Sequence, residues 1–406
     1  MRILYLHQFF TTREGSGGTR SYEHGRHLVR CGHEVVMVTA ARPGAGRPRR
    51  REVDGIDVRE VGGASADYAA ATAHGYARRS AGFAGFAAGA TVTALRAPAP
   101  DVVLASSPPL SIAAPAIVAA RARGAPLVFE VRDLWPEAPI QMGALTNPLA
   151  RRAARALERA AYRSAAHVIA LSPGMRDGVL ATGTPPERVS MIPNASDLDV
   201  FSPDLDPGDL RGRLGVAGDD LLCAYFGTMG EANDLTQVIE AATLLARSGE
   251  RGVAFVLQGE GRRRPVLERA VRSRGLRNVI LRPAAGKHAA AQLAAASDAC
   301  LTIFKDVPIL ATNSPNKLFD AFAAGRAAIV NTDGWQKELV ERHGAGLAAR
   351  PGDPADLAAQ ILRLRDDREL TARLGRGARA LAEARFDRRV LAERVRAVLE
   401  QAVEGA

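Results

Sequence analysis

Short apolar runs alternate with longer segments of helical periodicity along most of the chain, and this alternation predicts an α/β fold. The apolar runs predict buried strands at residues 3–7, 35–39, 101–105, 127 onward, 167–171, 221–226, 253–257, 278–281, 299–304 and 327–331. Helical spacing predicts helices at residues 19–31, 76–95, 110–123, 149–161, 173–180, 235–246, 358–364, 370–384 and 387–403. The order of strands and helices is typical of doubly wound parallel sheets.

A further helix is predicted to begin at Pro315 and to end at Gly325. Proline is tolerated in the first helical turn, and Asn313 or Ser314 can serve as the N-cap. The free N–H groups and the positive end of such a helix favour a phosphate, and Lys317 adds a positive charge in its first turn. The segment therefore predicts an anion site, with an ordinary buried and capped helix as the alternative.

The chain length and one loop-rich segment together predict two domains. A chain of 406 residues is long for a single domain, and residues 194–208 are rich in Asp, Pro and Gly. The βα rhythm also starts again after this segment. We therefore predict a first domain at 1–195 and a second at 196–385.

Two smaller segments of the first half allow only local predictions. Residues 42–51 are rich in Pro, Gly and Arg and predict a solvated loop, and residues 53–58 predict a hairpin with an Asp-Gly turn. The helix at 76–95 carries Arg78 and Arg79 near one end and two Phe three residues apart. It can lie on a membrane surface or pack its aromatic pair into the domain.

Two places at predicted strand ends carry candidate chemistry. Gly17 and Gly18 follow the first strand and let backbone N–H groups approach an anion, although the pattern is not the G-x-G-x-x-G of dinucleotide sites. A flexible loop is the alternative. Glu130, Arg132 and Asp133 end another apolar strand, where charges must be paired or solvated by a ligand. A structural Arg–carboxylate pair is the alternative there.

Charge and cysteine content narrow the functional class. The formal net charge is +10 and rests mainly on Arg, but no basic stripe with interleaved aromatics indicates nucleic-acid binding. A diphosphate substrate or an acidic membrane surface is the expected anionic partner. Three Cys without C-x-x-C spacing fit a reducing cytosol, and no signal peptide or apolar run of about 18 residues is expected to direct the chain into a membrane.

Two motifs resemble GT-B glycosyltransferases of family 4, in particular the subgroup of bacterial O-antigen amino-sugar (fucosamine-type) transferases. These are Pro-Asn-Lys-Leu-Phe-Asp-Ala-Phe-Ala-Ala-Gly at 315–325 and Glu-Val-Arg-Asp-Leu-Trp-Pro-Glu at 130–137. The Gly-Gly-Thr-Arg loop, the Gly-x-Gly turn at 259–261 and the Ile-Pro-Asn crossing at 192–194 are similar too. The resemblance implies two Rossmann-like domains that face a central cleft, with a C-terminal helix, 386–406, that crosses back onto the first domain.

The resemblance also implies roles for individual residues. Arg132, Asp133 and Lys317 become the catalytic candidates. The donor-binding candidates are Gly17, Gly18, Gly227, Thr228, Gly259, Pro283, Thr312, Asn313, Ser314, Asn316, Lys317 and Asp320. Thr19, Arg20 and Glu130 are the acceptor-side candidates. The sequence departs from the family at three places: Asp320 replaces the ribose-binding Glu, Thr312 the first Glu of the signature, and Thr228 and Asn233 the usual Arg and Lys.

The implied reaction is transfer of a sugar, with retention of configuration, from a UDP- or GDP-linked donor to a small-molecule or lipid-linked acceptor. No metal or cofactor is expected, since no carboxylate cluster favours a cation. A cytoplasmic enzyme is expected, with peripheral contact at the inner membrane face. Two alternatives remain: a GT-B epimerase acting on UDP-sugars, and a degenerate nucleotide-sugar-binding protein.

Overall fold

The computed structural model describes residues 1–15, 17–41, 49–62 and 76–406. For residues 76–80 it describes the helical backbone but not the side chains. Most of the predicted loop at 42–51, and the side chains of Arg78 and Arg79, therefore lie outside the described residues. The predicted fold class is confirmed: the chain forms two α/β units, each built on a largely parallel sheet.

The first unit is an eight-stranded sheet with the order β3-β4-β2-β1-β5-β6-β7-β8. Its strands are β1 Arg2–Leu6, β2 Glu34–Ala40, β3 Arg50–Val53, β4 Ile56–Val61, β5 Val102–Ser106, β6 Leu127–Val131, β7 His167–Ala170 and β8 Val189–Met191. Its helices are α1 Arg20–Arg30, α2 Tyr76–Leu95, α3 Ala113–Arg123, α4 Glu137–Gln141, α5 Pro148–Ser164 and α6 Pro173–Leu180. Its central strands are apolar on both faces because helices cover both sides of the sheet.

The second unit is a six-stranded parallel sheet with the order β11-β10-β9-β12-β13-β14. Its strands are β9 Leu221–Phe226, β10 Val253–Gln258, β11 Val279–Arg282, β12 Ala299–Thr302, β13 Ala327–Val330 and β14 Gly346–Ala348. The helices of this half are α7 Leu210–Arg213, α8 Thr236–Arg247, α9 Arg264–Ser273, α10 Lys287–Ala296, α11 Asn316–Ala323, α12 Trp335–Arg342, α13 Pro354–Asp366, α14 Arg368–Arg385 and α15 Arg388–Glu404.

The structure corrects the predicted start of α11. Pro315 is the cap residue rather than the first helical residue, with φ −78° and ψ 126°, and no side chain caps the helix. Ser314 lies one residue before the cap, and its hydroxyl accepts a hydrogen bond from the Asn194 N–H at 3.1 Å instead of from the helix. The predicted end is confirmed: Gly325 follows the helix at φ +63°, a conformation that favours glycine.

Two predictions for the first half have clear outcomes. The hairpin is confirmed, because β3 and β4 pair antiparallel around Asp54 and Gly55, both with positive φ. In α2, Phe86 is fully buried and Phe83 packs edge-on against Trp135, so the aromatic pair faces the domain. Among the described residues no helix combines the length and apolarity that crossing a bilayer requires.

The chain crosses between the two units twice. Residues 192–209 lead from β8 into the second half, and α15 returns to pack against α1, β5 and β6 of the first unit. An isolated bridge between Ser196 and Asp387 joins the two crossings side by side. The cleft between the sheets is therefore bordered by loops of both units and by these crossings.

Candidate active site

Two adjoining cavities, of about 310 Å³ and 240 Å³, lie in the cleft. Both are lined by Gly17, Gly18, Thr228, Phe304, Pro315 and Asn316. The larger cavity extends into the second unit, and the smaller one extends towards the ends of β1 and β6. This is the edge where strands of a parallel sheet present their carboxyl ends, which is where α/β folds bind ligands.

Lys317 projects from the first turn of α11 into the larger cavity. Its Nζ donates to the Tyr225 hydroxyl and to Asn233 Oδ1, both at 2.8 Å, and lies 4.2 Å from the centre of the Tyr225 ring. Burial lowers the pKa of Lys317 to about 7. Since both hydrogen-bond partners are neutral, the ammonium lacks a counter-charge among the described residues. These surroundings favour the binding of an anion next to the Lys317 ammonium.

Close backbone approaches shape the wall around Lys317. A Cβ on Gly259 would lie 1.9 Å from the Gly227 carbonyl oxygen, so the two glycine turns can only touch without a side chain. A Cβ on Gly18 would lie 3.0 Å from Asn316 Nδ2 and 3.3 Å from Arg132 Nη2. The predicted glycines therefore hold the turns of both units close to the start of α11.

Asp320 lies one turn further along α11, on the wall of the larger cavity. The Ser196 hydroxyl donates to its Oδ1 at 2.6 Å, and burial raises the pKa of Asp320, an effect that the nearby Lys287 opposes. The other carboxylate oxygen of Asp320 has no hydrogen-bond partner among the described residues. This carboxylate offers a ligand hydroxyl an acceptor.

A second charged cluster, centred on Asp197, joins the two units beside Asp320. The Asp197 carboxylate pairs with Lys287, with Arg388 at 3.0 Å and with Arg13 at 3.3 Å. Burial alone would raise the pKa of Asp197, but Arg388 and Lys287 lower it on balance. Lys287 and Arg388 also line the larger cavity, so two further cations border the ligand space.

Arg13 also fastens the glycine-rich loop, residues 11–19, across the cleft. Its carbonyl oxygen accepts a hydrogen bond from the Lys287 N–H at 3.0 Å, and its guanidinium pairs with Glu23 at 2.6 Å as well as with Asp197. The loop belongs to the first unit, whereas Lys287 begins α10 in the second. It therefore covers one side of the larger cavity.

The smaller cavity holds an imidazole, a guanidinium and a carboxylate. His7 Nδ1 donates to the Ser106 carbonyl oxygen at 3.0 Å, which leaves Nε2 to accept from Arg132 Nη1 at 3.1 Å. Burial, with Arg132 beside it, lowers the pKa of His7 to about 3, so the ring is neutral near pH 7. Burial raises the pKa of Asp133 to about 6, against the opposing effect of Arg132.

Most sequence-predicted site residues meet at these cavities. The larger one is lined by Gly17, Gly18, Thr19, Gly227, Thr228, Gly259, Asn316, Lys317 and Asp320. The smaller one adds Arg132, Asp133, Asn313 and Ser314. The second-half motif and the strand end at 130–133 are thus brought to one place although they are far apart in sequence.

The structure corrects the predicted acceptor-side positions of Arg20 and Glu130. Both side chains are 1% exposed and form an ion pair at 2.8 Å, and Arg20 also donates to the carbonyls of Ile192 and Pro193. Burial alone would raise the pKa of Glu130, but Arg20 and neighbouring cations bring it to about 2. The structural ion pair, one of the alternatives from the sequence, is what these residues form.

Two predicted donor contacts also lie outside both cavities. The Thr312 hydroxyl donates to the Ile309 carbonyl at 2.7 Å, and its methyl group lies against Gly174. Pro283 does not line the larger cavity, whereas the next two residues, Ala284 and Ala285, do. Thr312 is drawn away because Ser172 donates to its carbonyl and thereby holds it against α6.

Sequence reasoning missed several residues of the site. His7, Tyr225, Phe304 and Asn194 line or support the cavities, as do Lys287 and Arg388. One signal was available for His7, since a polar residue directly after an apolar strand is typical of a ligand edge. For Lys287 the available signal was that lysine occurs at only four positions of the sequence, residues 287, 305, 317 and 337.

Sequence and structure comparisons agree in the class of protein they match. Residues 15–195 match the glycosyl transferase 4-like domain, and residues 221–367 match the glycosyl transferases group 1 domain. A colanic acid biosynthesis glycosyl transferase of Escherichia coli (strain K12) is 27% identical over 241 residues, 58% of each chain. The alpha-D-kanosaminyltransferase of Streptomyces kanamyceticus is 26% identical over 275 residues, 66% of this chain and 68% of that one.

A similar solved structure covers the whole fold. The Anabaena protein HepE, crystallised in complex with UDP-glucose, superposes with a TM-score of 0.73 at 20% identity, over 99% of this chain and 100% of that one. The colanic acid protein, by contrast, is matched over little more than half of its own length.

Proposed function

The chain has the GT-B fold of the glycosyltransferases, with a 4-like domain followed by a group 1 domain, and from this premise we propose that it transfers a sugar from a nucleoside-diphosphate sugar to an acceptor. One observation carries the proposal: Lys317 is half-buried at the amino end of α11, and its hydrogen-bond partners are both neutral. A diphosphate there would supply the missing negative charge and would meet the helix N–H groups as well.

We propose one orientation for the donor in the larger cavity. We propose that Asp320 accepts a hydrogen bond from a ribose hydroxyl and that the base lies towards Ala284 and Ala285. The diphosphate then lies between the Gly17–Gly18 backbone and Lys317. The sugar reaches the smaller cavity, where Arg132 and Asp133 contact it.

We propose transfer with retention of configuration. The bond between the anomeric carbon and the phosphate oxygen breaks, the acceptor oxygen bonds to that carbon from the same face, and the acceptor proton passes to the leaving phosphate. His7 is a poor candidate for a general base, because both of its nitrogens are engaged. Lys317 and Arg132 would stabilise the negative charge of the leaving group without a metal or a cofactor.

We propose a chemical class for the donor and one for the acceptor. A UDP-linked donor is favoured by the UDP-glucose complex of the similar Anabaena protein, and a GDP-linked donor remains in the class. We propose a small molecule or a lipid-linked sugar as the acceptor, in keeping with the resemblance to amino-sugar transferases.

For the lipid-linked case we propose that the enzyme works from the cytosol with its first domain against an acidic membrane. Helix α5 would make that contact, since Leu149 is 77% exposed at its start. Its exposed cations are Arg152, Arg155, Arg159 and Arg163. Its one acid, Glu158, is partly buried, and burial raises the pKa of Glu158 to about 7. Sedimentation with phosphatidylglycerol vesicles, but not with phosphatidylcholine vesicles, is expected.

A ligand screen followed by a transfer assay tests the main proposal. UDP-, GDP-, TDP- and ADP-linked sugars are added in turn, and the expected result is that one nucleotide class raises the melting temperature. Lys317→Met should abolish that shift, whereas Lys337→Met, which removes an exposed lysine paired with Asp333, should keep it. Isomerised sugar without an acceptor would instead identify an epimerase, and no shift with any donor would refute the proposal.

A further inference from the structure

The structure also contains a group of potential metal ligands on the side of the first unit. His27 and Cys31 project from the last turn of α1 and its cap, and Glu393 lies opposite them on α15. One ligand atom of each lies within 4.8 Å of the others, and within the described part of the chain no other such group of His, Cys, Asp or Glu occurs. None of the three lines either cavity of the cleft.

The distances within the group match those around a tetrahedral ion. Two ligands bound to zinc at about 2.3 Å for sulfur and 2.05 Å for nitrogen lie about 3.5 Å apart, and a nitrogen and an oxygen lie about 3.3 Å apart. In the structure His27 Nε2 lies 3.6 Å from Cys31 Sγ and 3.1 Å from Glu393 Oε2. These two distances are within a few tenths of an ångström of the tetrahedral values, and the Cys31 sulfur and the Glu393 carboxylate lie within 4.8 Å of each other.

The neighbouring residues orient the group. His27 and Cys31 are four residues apart, so one face of α1 presents both side chains. Arg396 donates to both oxygens of Glu393, through Nε and Nη2 to Oε1 and through Nε also to Oε2 at 2.9 Å, so an ion on Oε2, the oxygen that faces His27, would replace only the Nε–Oε2 contact. Arg396 can therefore keep its contact with Oε1 and hold the carboxylate in place while Oε2 binds an ion.

We propose that His27, Cys31 and Glu393 bind a divalent ion of the zinc class, which joins α15 to α1. The Cys31 thiol loses its proton to solvent as the sulfur–metal bond forms. His27 binds through the Nε2 lone pair, with its proton on Nδ1, and Glu393 binds through Oε2. The thiolate and the carboxylate neutralise the two positive charges of the ion. A water molecule would complete the tetrahedron, since Cys31 and Glu393 are exposed.

Titration of metal-free protein with Zn²⁺ and Co²⁺ tests the site. One equivalent of Zn²⁺ should bind, and Co²⁺ should give a thiolate-to-cobalt absorption band. Zinc should also protect Cys31 from a thiol reagent, while Cys223 and Cys300 are buried and stay unreactive in either state. Cys31→Ser should remove the band, and His27→Ala should weaken Zn²⁺ binding at least about tenfold.

Controls separate this site from other ligands and from the sugar-transfer reaction. His288→Ala and Glu404→Gln each remove an exposed ligand type elsewhere and should leave the titration unchanged. Should Cys31→Ser fail to fold, alkylation of the folded protein at Cys31 takes its place. The proposal is overturned if no equivalent of Zn²⁺ binds, or if His27→Ala binds Zn²⁺ as tightly as the parent protein does. Because these residues lie outside the cleft, His27→Ala should keep full transfer activity whichever result is obtained.

Discussion

Donor binding should weaken steeply as the pH rises above 7, because Lys317 has to gain a proton when the diphosphate binds. In the free protein its pKa is about 7, so about half of the molecules carry the charge at pH 7 and about one in a hundred at pH 9. A bound diphosphate favours the charged lysine and returns its pKa towards the ordinary value. The protonated fraction of the free protein then sets the apparent affinity.

The expected change is a Kd that is about fivefold higher at pH 8 than at pH 7, as the proton uptake per donor bound rises from about half to about nine tenths. Calorimetry with the nucleotide sugar measures this, since its diphosphate diester has no group that titrates in this range. Repeating the titration in buffers of different ionisation enthalpy counts the protons. Lys317→Met should bind the donor weakly and without proton uptake, and Lys337→Met should behave as the parent does. A Kd independent of pH would refute the assignment of Lys317.

The same burial predicts a gain in stability when the lysine is removed. The unfolded chain holds Lys317 at its ordinary pKa and so binds more protons than the folded chain between pH 7 and about 10.5, which means that the parent gains stability as the pH rises through this window. Near pH 7 the burial of Lys317 lowers the free energy of unfolding by a value on the order of 4 kcal/mol. Lys317→Met should therefore melt at a higher temperature than the ligand-free parent while losing donor binding.

Three further substitutions test other parts of the site. Asp320→Asn keeps the shape but loses the charged acceptor for ribose, so the donor KM should rise about tenfold or more. Arg20→Met leaves Glu130 buried without its partner and should lower the free energy of unfolding by about 3–5 kcal/mol, measured in urea. Gly259→Ala pushes a methyl group into the Gly227 carbonyl, so it should lower both the melting temperature and donor affinity.

Each of these has a matched control. Asp333→Asn changes an exposed aspartate outside the cavities and should leave KM unchanged, and Gly218→Ala adds a methyl group in open space and should leave the melting temperature unchanged. The double variant Arg20→Met/Glu130→Gln should recover part of the lost stability, since no charge stays unpaired. An unchanged KM in Asp320→Asn, or a loss below about 1 kcal/mol in Arg20→Met, would contradict the respective roles.

The fold could be predicted from sequence because its strands are buried on both faces and therefore form continuous apolar runs. Helices such as α10 and α12 were missed, since six of the ten residues of α10 are alanine and α12 carries mixed charges, so neither shows a clear apolar period. The start of α11 was misplaced by one residue because Ser314, a plausible cap by type, is used by Asn194 from the first unit. Local rules cannot include such a distant partner.

The site was predictable where one segment carries the chemistry and less so where two segments share it. Lys317 and Asp320 stand in one motif, and the structure places both on a cavity wall. His7 and Arg132 come from different strands, and their contact depends on the order of β1, β5 and β6 in the sheet. Arg20 and Glu130 show the converse, because a charged strand end can be neutralised by a partner from elsewhere in the chain.

The fastening of Arg13 to Lys287 and Asp197 has a consequence for the sequence of events in each turnover. Those contacts hold the loop residues Gly15, Gly17 and Gly18 at the wall of the larger cavity, beside the proposed diphosphate site. We expect the spent nucleoside diphosphate to leave faster, and a fresh donor to enter faster, once these contacts break. The turnover rate would then be limited by the opening of the Arg13 contacts rather than by the sugar-transfer step.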